Sequence, residues 1–235
     1  LNNDADSYNI AIGHNAGREV TTGTGNTLIG GQAGDALTTG FENVAIGKNA
    51  LGGDVAGAEN VAIGRSAMSS TTNARASIGI GYNALQDLNY GSLTYAHNIG
   101  IGFNAGTNIT TGLYNNIFGG LAGDALTTGS FNVAMGYGAL GTEDTGGRNV
   151  AIGHLALFAL NYDGTGYNVA IGYDAGKAVS TGDENTIVGA LAGDSLTTGT
   201  NNVIIGYNAE ASAVGAADEI TLGNANNDTI RAAVQ

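Results

Sequence analysis

Three histidines and a few carboxylates are the side chains in this sequence that could bind a metal ion or transfer a proton. His14, His97 and His154 lie far apart along the chain, so we expect no metal site from them within one chain. Asp183 and Glu184 are adjacent, so on a strand they face apart and cannot work as a carboxylate pair. No serine lies in a nucleophile elbow. These residues predict no catalytic site, no metal and no cofactor, and thus a protein that is not an enzyme.

A recurring acidic segment, Gly-Asp-x-Leu-Thr-Thr-Gly, contains Asp35, Asp124 and Asp194. These three positions are widely separated, and the nonapeptide pattern of calcium-binding β-helices is absent from the sequence. We therefore expect turn carboxylates in contact with water and not a calcium site.

Aromatic side chains are better candidates for function, because rigid amphipathic rings dominate non-covalent recognition. Five recur at one position of the repeat described below: Tyr82, Phe103, Tyr137, Tyr173 and Tyr207. Such a column of rings could form an exposed recognition stripe or a stack that stiffens a corner of the fold. Four more lie in two insertions into the repeat: Tyr90, Tyr95, Phe158 and Tyr162. Since insertions into solenoids often fall on the binding face, we predict receptor contacts among these nine rings.

The element that positions these side chains is a repeat of Asn-x-x-Ile-Gly, seen in Asn43–Gly47. With the Asn counted as position 0, thirteen units follow one another at intervals of 17 residues, apart from one interval of 21 and one of 19. Position +3 is large and apolar, +4 is Gly throughout, and +7 is Ala in the first twelve units. A unit this short, with one β-branched strand and an obligatory Gly corner, predicts one coil of a parallel β-solenoid. At about 4.8 Å per coil, the rod would be about 60 Å long.

The array predicts an all-β fold, a single domain over residues 1–235. The two insertions divide it into coil blocks 9–97, 98–167 and 168–235. The Asn column is expected to form an amide ladder along the stack. In units with Gly at position +8, the residue at +11 is large. In units with Leu or Met at +8, the residue at +11 is mostly free to be polar. Such an exchange keeps the total side-chain volume constant, as a packed core requires.

Position +2 predicts self-association. Alternation along a strand sends +1 and +3 to one face and +2 to the other, yet all three are mostly apolar. A strand that is apolar on both faces is buried on both faces, and one coil buries only one of them. We therefore expect the +2 face to contact other chains in a trimer, through its largest members: Leu28, Ile117, Ile187 and Ile204.

The amino-acid composition limits the kinds of partner that the chain could bind. Lys and Arg number 7 against 20 Asp and Glu, a net charge of −13, which disfavours a nucleic-acid partner. The chain has no Cys, so it contains no disulfide framework, and its apolar runs are too short for membrane insertion.

The repeat resembles the heads of YadA-type trimeric autotransporter adhesins, which are built from Asn-x-Val-Ala-Ile-Gly followed by Ala. Units at Asn43–Gly47, Asn60–Gly64 and Asn168–Gly172 match that motif. The resemblance implies a left-handed β-roll assembled as a homotrimer whose activity is attachment. Coils in that family are usually nearer 14 residues, so the period departs from it.

The repeat is also similar to repeat regions of phage tail fibres, through Asn201–Ala209 and the Thr-Thr-Gly segments. Ala217–Asn224 followed by Thr229–Arg231 resembles the segment before an endosialidase-type trimerisation chaperone. That likeness implies a C-terminal chaperone domain in the precursor.

We therefore expect an extracellular, trimeric fibre segment, of a virion or a cell surface, that attaches to a surface glycan or protein. A bacterial adhesin head is the alternative. Two remoter alternatives are a polysaccharide-degrading tailspike and an ice-binding solenoid, the latter suggested by the pairs Thr21–Thr22 and Thr38–Thr39.

Overall fold

The structure, a computed structural model, describes residues 7–226. Within this range the chain is all-β and contains no helix, and thirteen parallel strands stack in chain order into one sheet. The predicted parallel β-solenoid of about thirteen 17-residue coils is confirmed. Thr229–Arg231, part of the segment compared with a chaperone junction, lies outside the described residues.

Each coil contributes one three-residue strand to this sheet, and the sheet continues across the block boundaries at 97/98 and 167/168. Its strands are β1 Ile10–Ile12, β2 Thr27–Ile29, β3 Val44–Ile46, β4 Val61–Ile63, β6 Ile78–Ile80, β8 Ile99–Ile101, β9 Asn116–Phe118, β10 Val133–Met135, β11 Val150–Ile152, β12 Val169–Ile171, β13 Thr186–Val188, β14 Val203–Ile205 and β15 Ile220–Leu222. A second sheet joins β5 Thr72–Arg75 to β7 Asn89–Tyr95, which contains the first insertion.

Register between coils is fixed residue by residue. Ala45 pairs with Ala62, and every other strand pair of the main sheet likewise joins identical positions of the repeat. Backbone hydrogen bonds between coils continue around the corners, as from Gly34 N to Ala50 O at 2.9 Å. We call the residues at one position in successive coils a column.

The Gly at position +4 is required by two independent constraints. Gly47 has a φ of 130°, which L side chains rarely adopt, and a Cβ added there would lie 2.5 Å from the carbonyl oxygen of Gly64 in the next coil. Only a residue without Cβ permits the coils to stack this closely at the corner.

The predicted role of position +2 is wrong. Leu28, Ile117, Ile187 and Ile204 are each 0% exposed in the single chain, because the +2 side chains point into the coil's own core. The core is formed by the +2, +7, +8 and +11 columns, so the outward sheet face carries +1 and +3 instead. The strands are indeed apolar on both faces, but the face left uncovered is the opposite one.

Glycine at +8 makes the room for these large +2 residues. A Cβ added at Gly34 would lie 2.7 Å from Leu28 Cδ2 and 2.9 Å from Leu37 Cδ1. The exchange of volume between +8 and +11 is therefore confirmed, and it includes +2 as a third member.

A buried amide ladder runs along the Asn column, as predicted. Asn132 Oδ1 accepts the backbone N–H of Asn149 at 3.0 Å and its Nδ2 at 3.3 Å. Asn132 Nδ2 donates to Gly146 O, at +14 of its own coil, at 3.0 Å. Each amide thus links one coil to the next and also closes its own coil, which satisfies polar groups that water cannot reach.

The polar residues that occupy position +11 are buried. Asp54 is 0% exposed, and its Oδ1 accepts backbone N–H groups from Gly57 at 2.8 Å and Asn73 at 3.1 Å. Burial raises the pKa of Asp54 from 3.8 to about 6, against the opposing effect of these backbone hydrogen bonds. Glu143 occupies the same column and accepts from Gly146 N at 2.6 Å, and burial raises its pKa too.

Replacing one amide of the ladder tests its contribution to stability. Asn132→Ala leaves the N–H of Asn149 and the carbonyl of Gly146 buried without these partners, so we expect a loss of roughly 3 kcal/mol in the free energy of unfolding. Thermal and urea unfolding followed by circular dichroism measure it. The control is Asn108→Ala, whose exposed side chain makes one bond to Asp124 O. Equal effects of the two variants would contradict the ladder's importance.

The raised pKa of Asp54 predicts how stability changes with pH. The folded state binds this proton more tightly than the unfolded state, so the stability it contributes is complete below pH 3.8 and is lost as pH rises through about 6. The loss for a shift of this size is on the order of 3 kcal/mol. Asp54→Asn keeps the Oδ1 acceptor and removes the charge, so we expect higher stability than the native chain at pH 7 and a smaller decline between pH 4 and 6.5. Exposed Asp163→Asn is the control, and an unchanged decline in Asp54→Asn would refute the assignment.

Candidate assembly and recognition surface

The outward face of the thirteen-stranded sheet is apolar and incompletely covered. We call the side chains at +1 and +3 of its strands the outer face. Val and Ile predominate there, and among the more exposed members Ile46, Met135, Ile171 and Ile205 are 36%, 43%, 39% and 40% accessible. A flat, regular apolar face of this length on a single chain is typical of a surface that meets another molecule.

One edge of the outer face carries the +5 column, in which the rings stack. Tyr82 and Phe103 lie 5.4 Å apart between centroids with their planes 10° from parallel. Tyr137, His154 and Tyr173 form a second stack with spacings of 5.7 and 5.1 Å. The spacing matches the distance between coils, so neighbouring rings cover one another's faces and leave mainly their edges to solvent.

The two stacks are separated by Gly120, and Ala190 separates Tyr173 from Tyr207, which is 66% exposed. Of the two roles considered for the +5 column, an exposed recognition stripe and a stack of rings at a corner, the stack is thus present. The edges of its rings remain accessible to solvent. Whether they also contact a receptor stays a prediction.

The opposite edge carries a second stack that the sequence analysis missed. It lies at position −1, where His97, Tyr114 and Phe131 stack at 5.4 and 5.1 Å. Arg148 continues it with its guanidinium 5.1 Å from the Phe131 ring and 5.9 Å from Tyr167. Its signal is present in the sequence, since these residues each stand one place before a unit start in consecutive units.

The first insertion places its two tyrosines differently. Tyr90 is only 5% exposed, so its prediction as a receptor contact is wrong. Its hydroxyl donates to Gly112 O at 2.8 Å and accepts from Asn98 Nδ2 at 3.1 Å. The preceding coil has Ser77 at position 0, which offers no amide oxygen, so the Tyr90 hydroxyl supplies the missing acceptor in the ladder.

Tyr95 remains accessible at 49% and lies under the Arg75 guanidinium, 4.2 Å from its ring centroid. Arg75 is also paired with Glu59, with Nε 3.0 Å from Oε2. Between the two tyrosines, residues 91–93 are exposed, and β7 bulges there relative to β5.

The second insertion leaves the same corner of the solenoid as the first, because both follow position +11 and precede the next unit start. Phe158 is 36% exposed, and Tyr162 is half-buried against the core. Asn161, Tyr162, Asp163 and Thr181 line a shallow depression beside this turn. The insertion therefore presents a polar site with one aromatic wall.

Other candidates make local contacts. Asp35 and Asp124 are half-buried, not fully solvated, and burial raises the pKa of Asp124. Residues 7–226 contain no group of three His, Asp or Glu side chains that could hold a metal ion.

In the threonine pairs, the hydroxyls of Thr21 and Thr38 donate to the carbonyls of Thr38 and Val55 in the next coils. Those two hydroxyls are therefore already engaged within the rod.

In the described part of the chain, no helix is long and apolar enough to cross a membrane. Comparisons with protein families, with curated proteins and with solved structures found no match to this chain. The fold and its surfaces are therefore the basis for assigning a function.

Proposed function

We propose that this chain is a homotrimeric fibre segment that holds and presents attachment contacts at a virion or bacterial surface. The observation that carries the proposal is the outer face, a continuous apolar sheet surface on a chain whose core is already complete. Its repeated motifs, which resemble those of tail fibres and trimeric adhesins, support the same assembly. The proposed chemistry is mechanical extension and non-covalent recognition, without turnover.

The size of the outer face fits a stable interface. Thirteen strands at about 4.8 Å give a height of about 60 Å, and the six residue steps from −1 to +5 span at most about 20 Å. The product, at most about 1,200 Å², leaves room for the roughly 800 Å² per partner of a standard interface.

The width of the outer face also suits three-fold closure. Three faces at most about 20 Å wide, arranged as a triangular prism, would each lie no more than about 6 Å from the axis. That is close to half of the roughly 10 Å that separates packed sheets, so Val and Ile side chains from three chains would fill the centre. The trimer would thus contain one hydrophobic core within each chain and one further hydrophobic core on the axis, formed by side chains of all three chains.

The attachment contacts are proposed for the corner that bears both insertions. The second insertion offers Asn161 and Asp163, and the next coil Thr181, as polar groups beside the Tyr162 ring, which is the combination that binds sugars or polar peptide groups. The insertions are four coils apart, about 19 Å along the rod, so a trimer would present six such sites.

Absolute mass in solution tests the assembly. Multi-angle light scattering is expected to give about 70 kDa, three times the 23.3 kDa chain. Ile171→Glu would bring three carboxylates together near the axis and should shift the mass to one chain. Val55→Glu is the matched control, since Val55 is 48% exposed but lies outside the outer face. A native mass of 23 kDa would exclude the trimer.

Binding to immobilised glycans and to whole bacterial cells tests the attachment role. We expect binding that falls about tenfold in Asn161→Ala with Asp163→Ala, because two polar contacts would be lost. The trimer mass should not change, and Asn108→Ala should bind normally. A trimer that binds none of these surfaces would be a shaft without receptor contacts.

A further inference from the structure

Two charged side chains of the +5 column have no ionic partner in their own chain. Lys48 and Arg65 are exposed, and among residues 7–226 neither forms an ion pair, although Arg65 lies 5.7 Å from the Tyr82 ring. Glu42 and Glu59 occupy the −1 column of the same two coils; Glu42 is exposed, whereas Glu59 is half-buried and already paired with Arg75. Six residue steps, about 20 Å along the strand, separate the two columns within a chain, so these charges do not meet there.

A cyclic assembly brings these two columns together. Rotation about an axis parallel to the rod moves one edge of the outer face next to the opposite edge of the adjacent copy, without translation along the rod. A coil climbs one rung of about 4.8 Å in 17 residues, so the six residues from −1 to +5 climb about a third of a rung. The −1 residue of each coil therefore faces the +5 residue of the same coil in its neighbour.

Several coils are complementary when the columns are compared in this register, and in the sixth, eighth and tenth a ring faces a ring: His97 and Phe103, Phe131 and Tyr137, Tyr167 and Tyr173. In the third and fourth coils, acid meets base. In the fifth and seventh coils, a small residue of one column faces a large ring of the other. In the second coil, both residues are glycine. The corresponding pairs are Glu42 with Lys48, Glu59 with Arg65, Ala76 with Tyr82, Tyr114 with Gly120, and Gly25 with Gly31.

We propose that the −1 column of one chain packs against the +5 column of the next copy, coil for coil, and that these edges set the axial register of the assembly. Glu42 pairs with Lys48 across the contact, and the Glu59–Arg75 ion pair lies beside Arg65 of the next copy, while the ring of Tyr114 fills the gap that Gly120 leaves between Phe103 and Tyr137. This inference rests on the proposed self-assembly and adds to it a heterologous edge contact. We call that contact the seam.

The seam gives the aromatic residues of the +5 column a role in the contact between chains instead of receptor binding. Tyr82, Phe103, Tyr137 and Tyr173 would lie between chains, with their faces covered by stacking and their edges by the neighbour. Receptor contacts would then be confined to the insertions. Because the outer face is shared around the axis, the rings at its edges would also exclude water from the apolar centre.

Two glycines of the +5 column provide a matched test. A Cβ added at Gly120 meets only ordinary contacts, the nearest being Tyr137 Cδ2 at 3.6 Å, and one added at Gly31 meets nothing within 4 Å. In an isolated chain, Gly120→Tyr would extend the aromatic stack and cost nothing. In the seam it would collide with Tyr114 of the next copy, while Gly31→Tyr would face Gly25.

We expect Gly120→Tyr to raise the concentration at which the assembly dissociates by about tenfold or more, and Gly31→Tyr to leave it unchanged. Dissociation is measured by light scattering over a dilution series, with thermal unfolding of each variant as the check on folding. An assembly of native affinity in Gly120→Tyr would overturn the seam and leave the proposed trimer standing.

Cross-linking tests the register directly, because the native chain contains no cysteine. Glu42→Cys with Lys48→Cys should give covalent trimers with a short bis-maleimide, which spans a gap wider than a disulfide allows. Glu42→Cys with Tyr137→Cys, five coils apart, should give none, and neither should either single variant. Covalent trimers from the mismatched pair alone would overturn the register, whereas a native mass of one chain would overturn both proposals.

Discussion

The structure depends on the hydrogen bond that each buried Asn makes to the next coil. Its oxygen holds the following coil at a fixed height, and its nitrogen closes the coil it belongs to. A side-chain amide suits both functions, because it carries an acceptor oxygen and a two-proton donor on separate atoms, whereas an ionised carboxylate has no proton to donate. With the coils held in this way, each column repeats at the rung spacing, and rings, charges and glycines become aligned along the rod.

The fold was predictable because the constraints that produce it repeat. Gly47 and its counterparts are unavoidable where φ is 130° and the next coil's carbonyl is in contact, so they appear at a constant interval in the sequence. The Asn column is visible for the same reason. The Gly recurs in all thirteen units and the Asn in eleven of them, and recurrence is what sequence analysis detects best.

The orientation of the strand was not predictable from alternation alone, because both faces are apolar. The deciding information lay in a correlation between columns: Leu28 is large where Gly34 is small, and contact between those positions places +2 inside. Tyr90 was misassigned because single aromatic residues in an insertion look exposed. Its role follows from the absence of an amide at Ser77, which only a contact across the core reveals.

The corner that carries both insertions has a further consequence. There the chain gains four residues in one coil and two in another, yet the main sheet keeps its register on both sides. The hydrogen bonds of the Asn column are adjusted locally: the Tyr90 hydroxyl replaces the ladder acceptor missing at Ser77, and Asn149 Nδ2 donates to the carbonyl of Gly147 two residues before it. Such a rod can change the length and chemistry of its side loops without changing its pitch. Evolution, or an engineer grafting loops, could therefore alter the surface chemistry of such a solenoid while its pitch and core stay constant.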